Sequence, residues 1–193
     1  MVAATRKKFT VDEYHRLIDW GFFAEDKKFE LIWGEIIQMS PKRTPHSVCN
    51  SLLWKAIYNL IGDRAEIRVQ EPIFILPNSE PEPDLVIAIN KNDNYLSSHP
   101  TPADILLVVE ISESTLKYDR ETKLSLYAEA GIDDYWLFNL SDRHLEAYSQ
   151  PFCDAKGDFA YRSKQIVLAD ETINIPNFDN LTLDLAKVFP QLE

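Results

Sequence analysis

Residues 104–140 read DILLVVEISESTLKYDRETKLSLYAEAGIDDYWLFNL, and the order of patterns in this stretch sets the topology. DILLVVEIS (104–112) and DDYWLFNL (133–140) are short apolar runs rich in β-branched and aromatic residues, the signature of strands buried on both faces. Between them, residues 119–130 read as a charged amphipathic helix that stops at Gly131. Strand, helix, strand is a βαβ crossover, which makes the two strands parallel and their connection right-handed. PDLVIAI (83–89) is a third buried run, and the long loop 91–104 lets it lie antiparallel beside 105–112.

Working outward, Thr10-Val11-Asp12-Glu13 is a capping box that opens an N-terminal helix, closed by Gly21. KFELIWGEIIQM (28–39) is two apolar strands around Trp33-Gly34, a β-hairpin. SPKRTPHS (40–47) is a polar loop. From Ser47 to Ile61, Val48, Leu52, Leu53, Ala56, Ile57, Leu60 and Ile61 recur at helical spacing before Gly62. The alternation Ile67, Val69, Ile73, Ile75 suggests one strand interrupted near Glu71-Pro72. RHLEAYS (143–149) pairs with 133–140 across Ser141-Asp142, and the tail from about 152 to 193 reads as mixed short strands and a final turn. The expected fold is a mixed α/β (α+β) sheet flanked by helices, preceded by a helix and a hairpin, in one domain over 1–193.

Composition removes several functions. The chain has 193 residues and carries 20 Lys plus Arg against 31 Asp plus Glu, a net charge of −11. That excludes a generally basic nucleic-acid coat and disfavours anionic membranes, but leaves room for a local basic surface, first sought at Lys42, Arg43, Arg64 and Arg68. The 5 glycines are too scattered for a phosphate-cradling or nucleophile-elbow motif. Cys49 and Cys153 form no C-x-x-C pair, so neither a zinc ribbon nor a dithiol redox site is indicated, and unpaired thiols fit a reducing compartment. The start, MVAATRKKFTVDEYHRL, lacks the apolar segment of a secretory signal, and no apolar run approaches the ~20 residues that span a bilayer. A cytoplasmic protein is the expectation.

Two carboxylates stand out by their surroundings. Asp84 opens PDLVIAI, and Glu110 lies inside ILLVVEIS, where Val108, Val109 and Ile111 mark a core strand. A buried carboxylate costs several kcal/mol unless it is paired, hydrogen-bonded, protonated or bound to a metal. If strands 84–90 and 105–112 are antiparallel neighbours, Asp84 and Glu110 meet at one end of the sheet, where the next helix begins. Lys123, in that helix, reaches back toward both. Two hard oxygen ligands and a lysine suit a divalent cation, magnesium above all. Each residue also has a plainer reading: Asp84 as a strand-edge cap or turn residue, Lys123 as an i,i+4 surface partner of Asp119. Tyr135 and Trp136 read as core.

The run EPDLVIAI followed by DILLVVEISESTLKYDRETKLSLYAEAGIDDYWLFNL resembles the Uma2 family of restriction endonucleases, in the PD-(D/E)XK nuclease superfamily. The resemblance rests on Pro83-Asp84, Val109-Glu110-Ile111, Ser112, Ser114-Thr115, Asp119 with Lys123, Tyr127, Gly131-Ile132 and Tyr135-Trp136. FELIWGEIIQMSP followed by His46 is similar to the family's upstream stretch, and the likeness runs from about residue 9 to 190. It implies a restriction-endonuclease-like fold and a DNA endonuclease using magnesium or manganese held by Asp84 and Glu110. Lys123 stands for the superfamily lysine, Glu30 supports the metal or its water, and His46 faces the same cleft. The superfamily expects lysine two residues after Glu110; this chain has Ser112, and the Uma2 pattern takes its lysine from the following helix. Lys42 and Arg43 are the candidate phosphate contacts, and a homodimer is compatible with the superfamily. Plainer readings of three residues remain open: His46 as a helix cap or packing residue, Glu30 paired with a cation across the hairpin, Lys42 and Arg43 as a solvated loop. A non-catalytic interaction module on a nuclease-like fold is the alternative function. A metal-free hydrolase using Asp84 and Glu110 as acid and base is the third.

Overall fold

The computed structural model describes residues 5–24 and 26–191; the first four residues of the segment read above for a secretory signal lie outside them. Helix α1 (Val11–Asp19) starts on the expected capping box: Thr10 accepts from the Glu13 N–H and Glu13 accepts from the Thr10 N–H. Strands β1 (Phe29–Ile32) and β2 (Glu35–Gln38) form the hairpin. Its turn needs positive φ at both central residues, 46° at Trp33 and 76° at Gly34, the geometry that matches strand twist. Gly34 also packs against the backbone of Phe9, so a side chain there has no room.

Helix α2 (Thr44–Ile61) begins three residues before the apolar spacing does, because Pro45 is tolerated in a first turn, where its missing N–H has no partner anyway. Cys49, Leu53, Ile57 and Ile61 bury its inner stripe. Strands β3 (Glu66–Val69), β4 (Leu85–Ala88), β5 (Ile105–Ser112), β6 (Asp134–Asn139), β7 (His144–Cys153) and β8 (Phe159–Leu168) form one sheet in sequence order. β5 and β6 are the parallel pair, and every other neighbour is antiparallel. This bears out the mixed sheet and the βαβ unit.

Of the strand expected across 67–75, only the part before the expected interruption forms, as β3. Gln70 turns to φ 56°, Pro72 removes a donor, and Ile73 instead packs into the core with its N–H on the Pro81 carbonyl. The helix expected at 119–130 starts earlier and is not uniform. It comprises α3 (Leu116–Tyr118), a π-helical turn (Asp119–Lys123) and α4 (Leu124–Glu129). The tail supplies a ten-residue edge strand, β8, and a small hairpin of β9 (Thr172–Asn174) and β10 (Thr182–Asp184).

Both faces of the sheet are covered. α2 and the tail close one, over Leu85, Ile87, Leu107, Val109, Trp136 and Phe138. α4 and Ile32 of the hairpin close the other, over Val86, Val108, Tyr135 and Leu137. Cys49 and Cys153 are free thiols. Among the described residues no helix is long and apolar enough to cross a membrane.

Candidate active site

The site follows from strand register and the two-residue period of side chains. β4 pairs β5 with Val86 opposite Val108 and Leu85 opposite Val109. One residue further, Asp84 stands opposite Glu110, on the face shared by Val86 and Val108, under the α3–α4 segment. Asp84 Oδ2 accepts the Ile111 N–H at 2.9 Å and lies 2.9 Å from His46 Nε2 at the start of α2. Glu110 Oε1 accepts the Tyr127 hydroxyl at 2.6 Å and the Lys123 ammonium at 3.2 Å. Lys123 donates a shorter bond, 2.6 Å, to Glu30 Oε2 from β1, and Glu30 Oε1 accepts the Tyr118 hydroxyl at 3.2 Å. All four charged side chains are buried.

The π turn accounts for Lys123. Leu124 N–H reaches back to the Asp119 carbonyl, so the turn takes in one extra residue, and Lys123 Nζ is delivered to the sheet at 3% residue exposure. The surface-pair reading of Lys123 is thereby corrected. Glu30 is also not paired across its hairpin: its cross-strand partner is Ile37, and its cation comes from the distant helix. Ser112, at the superfamily's lysine position, is fully buried. Its hydroxyl lies 3.2 Å from Thr115 Oγ1, which donates to Asp119 Oδ2 at 2.6 Å. The serine thus ties down the turn whose far end carries the relocated lysine.

Glu30, Lys42, His46, Asp84, Glu110 and Lys123 line one cleft of about 560 Å³. Lys42 is folded onto Asp84, its Nζ 3.1 Å from Oδ1, whereas Arg43 is exposed at the cleft's edge. Arg64 and Arg68 are not brought there. Arg64 donates to the Ile61 carbonyl at 2.9 Å, and Arg68 lies 3.3 Å from His99 Nδ1 and 3.8 Å from Glu71. Tyr135 and Trp136 are core, as expected. Sequence reading missed the roles of Tyr118, Tyr127 and Thr115. Tyr127 carried a signal, four residues after Lys123 on the same helical face; Tyr118 carried none.

Electrostatics in the cleft is short of positive charge. Burial pushes the Glu110 carboxyl up to about 8; Lys123 pulls down, Asp84 and Asp119 push further up, and the Tyr127 hydroxyl pulls down. Burial also raises Asp119 above the usual carboxylate range. Asp84 goes the other way: burial raises it, but His46, Lys42 and the Ile111 N–H outweigh burial and hold it below its ordinary value. For Lys123, burial opposes the charge, and Glu110 and Glu30 more than compensate, so the ammonium stays protonated far into the alkaline range. The cleft offers hard carboxylate oxygens from two adjacent strands, one fully buried ammonium and an acid surplus that a further cation would relieve.

A helix-flanked mixed sheet with acids and a lysine converging beside its parallel pair is the restriction-endonuclease-like arrangement. Residues 11–186 match the family described as Uma2, putative restriction endonuclease, and the chain belongs to that family, with a nuclease-like function. Its structure is similar to that of a putative nuclease belonging to DUF820 from Anabaena variabilis: TM-score 0.71, 18% identity, 94% of this chain and 97% of that one covered. At that identity the likeness carries the fold. No curated protein matches the chain.

Proposed function

We propose that the protein is a magnesium-dependent endonuclease hydrolysing phosphodiester bonds of DNA, with manganese able to replace magnesium. The observation that carries this reading is the convergence of Asp84, Glu110 and Lys123 in one cleft, from the residue before β4, from β5 and from the helical segment between the parallel strands. The donor set fits the cation: small hard divalent ions take carboxylate oxygens, and the acid surplus favours one here. Asp84 and Glu110 would hold it. When bound, it supplies charge neutralisation at the phosphate and lowers the pKa of a water.

The chain's own groups do the remaining work. Lys123 Nζ, 3.2 Å from Glu110, would hydrogen-bond the attacking water or the charge that develops on the phosphate. Glu30 fixes where that ammonium sits, with Tyr118 holding Glu30's second oxygen. Tyr127 fixes one Glu110 oxygen and leaves the other to the cleft. With a net charge of −11, attraction to DNA must be local and salt-sensitive, and Arg43 and Lys117 are exposed cations lining the cleft.

The test is cleavage of supercoiled plasmid with magnesium or manganese by wild type, Asp84→Asn, Glu110→Ala and Lys123→Ala, each checked for folding by circular dichroism. Activity should fall at least about a hundredfold in each folded variant. Equal cleavage by wild type and variants would assign it to a contaminant and overturn the reading.

A further inference from the structure

We propose that Lys42 is a stand-in for the divalent cation: its ammonium neutralises Asp84 while the cation is absent and gives up that oxygen when the cation binds. The inference rests on the metal site proposed above and concerns a residue that the reaction itself does not require.

The two lysines that reach the cleft's buried acids, Lys42 and Lys123, are held differently. Lys123 donates to Glu30 and Glu110, and its side chain is 4% exposed. Lys42 Nζ lies 3.1 Å from Asp84 Oδ1, yet the angles make no hydrogen bond there, and the buried Nζ has no other hydrogen-bond partner. An ammonium has three donors, and leaving them unmade in a buried position is costly. Of polar contacts, Lys42 therefore has only the charge attraction of Asp84 to hold it, while its side chain retains 23% exposure as a route back to water.

Its backbone adds little restraint. Lys42 lies between β2 and α2, beside Pro41, and among the described residues Ser40, Pro41 and Lys42 make no backbone–backbone hydrogen bond. Asp84 is otherwise fixed through Oδ2, by the Ile111 N–H and His46 Nε2. Oδ1 is thus the oxygen a cation takes without disturbing the rest, and Lys42 is what occupies it. A divalent ion on Oδ1 and an ammonium at 3.1 Å from the same atom repel each other strongly, and of Lys42 and Lys123 it is Lys42 that has fewer bonds to lose.

The experiment is calorimetric titration of manganese into the full chain as wild type, Lys42→Met and Arg43→Met, with Asp84→Asn added to the wild type and Lys42→Met backgrounds. It is paired with mass-spectrometric mapping of lysine acetylation with and without manganese. Lys42→Met should bind manganese about threefold to tenfold more tightly than wild type, Arg43→Met should change affinity by less than about twofold, and Lys42 should acetylate faster once manganese is bound. Unchanged or weaker binding by Lys42→Met, with wild-type binding intact and lost in Asp84→Asn, overturns the stand-in role and leaves the metal site standing. An equal gain in Arg43→Met also overturns it, since general charge then explains the effect. Absence of binding in both wild type and Lys42→Met overturns the metal site and this inference with it.

Discussion

Replacing Lys123 by methionine keeps most of the side-chain stem and removes one ammonium that serves two buried carboxylates. Breaking a buried ion pair by deleting one partner costs about 3–5 kcal/mol. For a chain of 193 residues each kcal/mol moves the melting temperature by about 2–4 °C, so at pH 8 the variant should melt roughly 6–20 °C below wild type. The loss has a sign in pH. Glu110, raised to about 8 in the folded protein against ~4.3 unfolded, holds a proton the unfolded chain has released. Its contribution to stability is complete below ~4.3 and is lost as pH rises through about 8. Without Lys123 the downward pull on Glu110 vanishes, the carboxyl needs its proton more, and the alkaline side suffers most. The deficit should therefore be smaller at pH 5 than at pH 8 by about 0.4 kcal/mol (~RT ln 2), since wild-type Glu110 is only about half ionised at pH 8, and Glu110→Gln in the same chain should remove that difference. Thermal and urea denaturation at the two pH values measure this. A deficit identical at pH 5 and pH 8, or a melting shift below about 2 °C, would refute the picture of an ammonium shared by buried acids.

Two further predictions concern the frame around the site. Glu146, fully buried on β7, accepts from Arg120, Tyr148, His144 at 3.2 Å and Lys164 at 2.9 Å. Burial raises its pKa, but Arg120, Tyr148, Lys164 and His144 outweigh burial and bring it to about 2, so its stabilisation is present above ~4.3 and is lost as pH falls through about 2. Glu146→Gln should cost about 3 kcal/mol at pH 7 and flatten the acid limb of the stability curve, readable by urea melts from pH 7 to pH 2; an unchanged acid limb would count against it. Gly34→Ala should destabilise more than Gly131→Ala. Both have positive φ, but a Cβ at Gly34 meets Phe9 O at 2.9 Å, whereas nothing lies within 4 Å of one at Gly131. The expected costs are about 1 kcal/mol at Gly131 and at least about 2 at Gly34, and equal melting temperatures would show that the hairpin turn relaxes freely.

The legible parts of the fold are those where one local rule acts undisturbed. The apolar runs of β4, β5 and β6 leave no choice but a doubly covered sheet, and the intervening helix makes β5 and β6 parallel. Gly131 and Gly62 end helices as their positive φ requires. The failures lie where a second rule intrudes. Ile67 to Ile75 alternates like a strand, yet Gln70 and Pro72 break the ladder, and alternation persists because Ile73, outside any strand, is buried in the same core as Val86, Val108 and Tyr135. β8 was unreadable as one strand because an edge strand need not be apolar: Arg162, Ser163, Lys164 and Gln165 are exposed along it.

The site divides along the same line. Asp84 facing Glu110 is a register statement, so period-two alternation was enough to find it. Where Lys123 points depends on the phase of a helix, and phase is what a π turn changes. In a regular helix Asp119 and Lys123 are neighbours on one face, which is why the surface-pair reading was open. Here the π turn buries both residues, and Lys123 is spent on Glu110 and Glu30 rather than on a surface pair. The departure at Ser112 follows from the same geometry. A lysine two residues after Glu110 would also point to this face, because Glu110 and position 112 share it, and two ammonium groups would then crowd one pair of acids. With Lys123 in place, a small hydroxyl at 112 serves better. It bonds Thr115, through Thr115 it reaches Asp119, and so it anchors the very turn that aims the lysine. Lysine in the helix and serine in the strand are therefore one coupled choice, and reverting Ser112 to lysine without removing Lys123 should weaken the site rather than restore it.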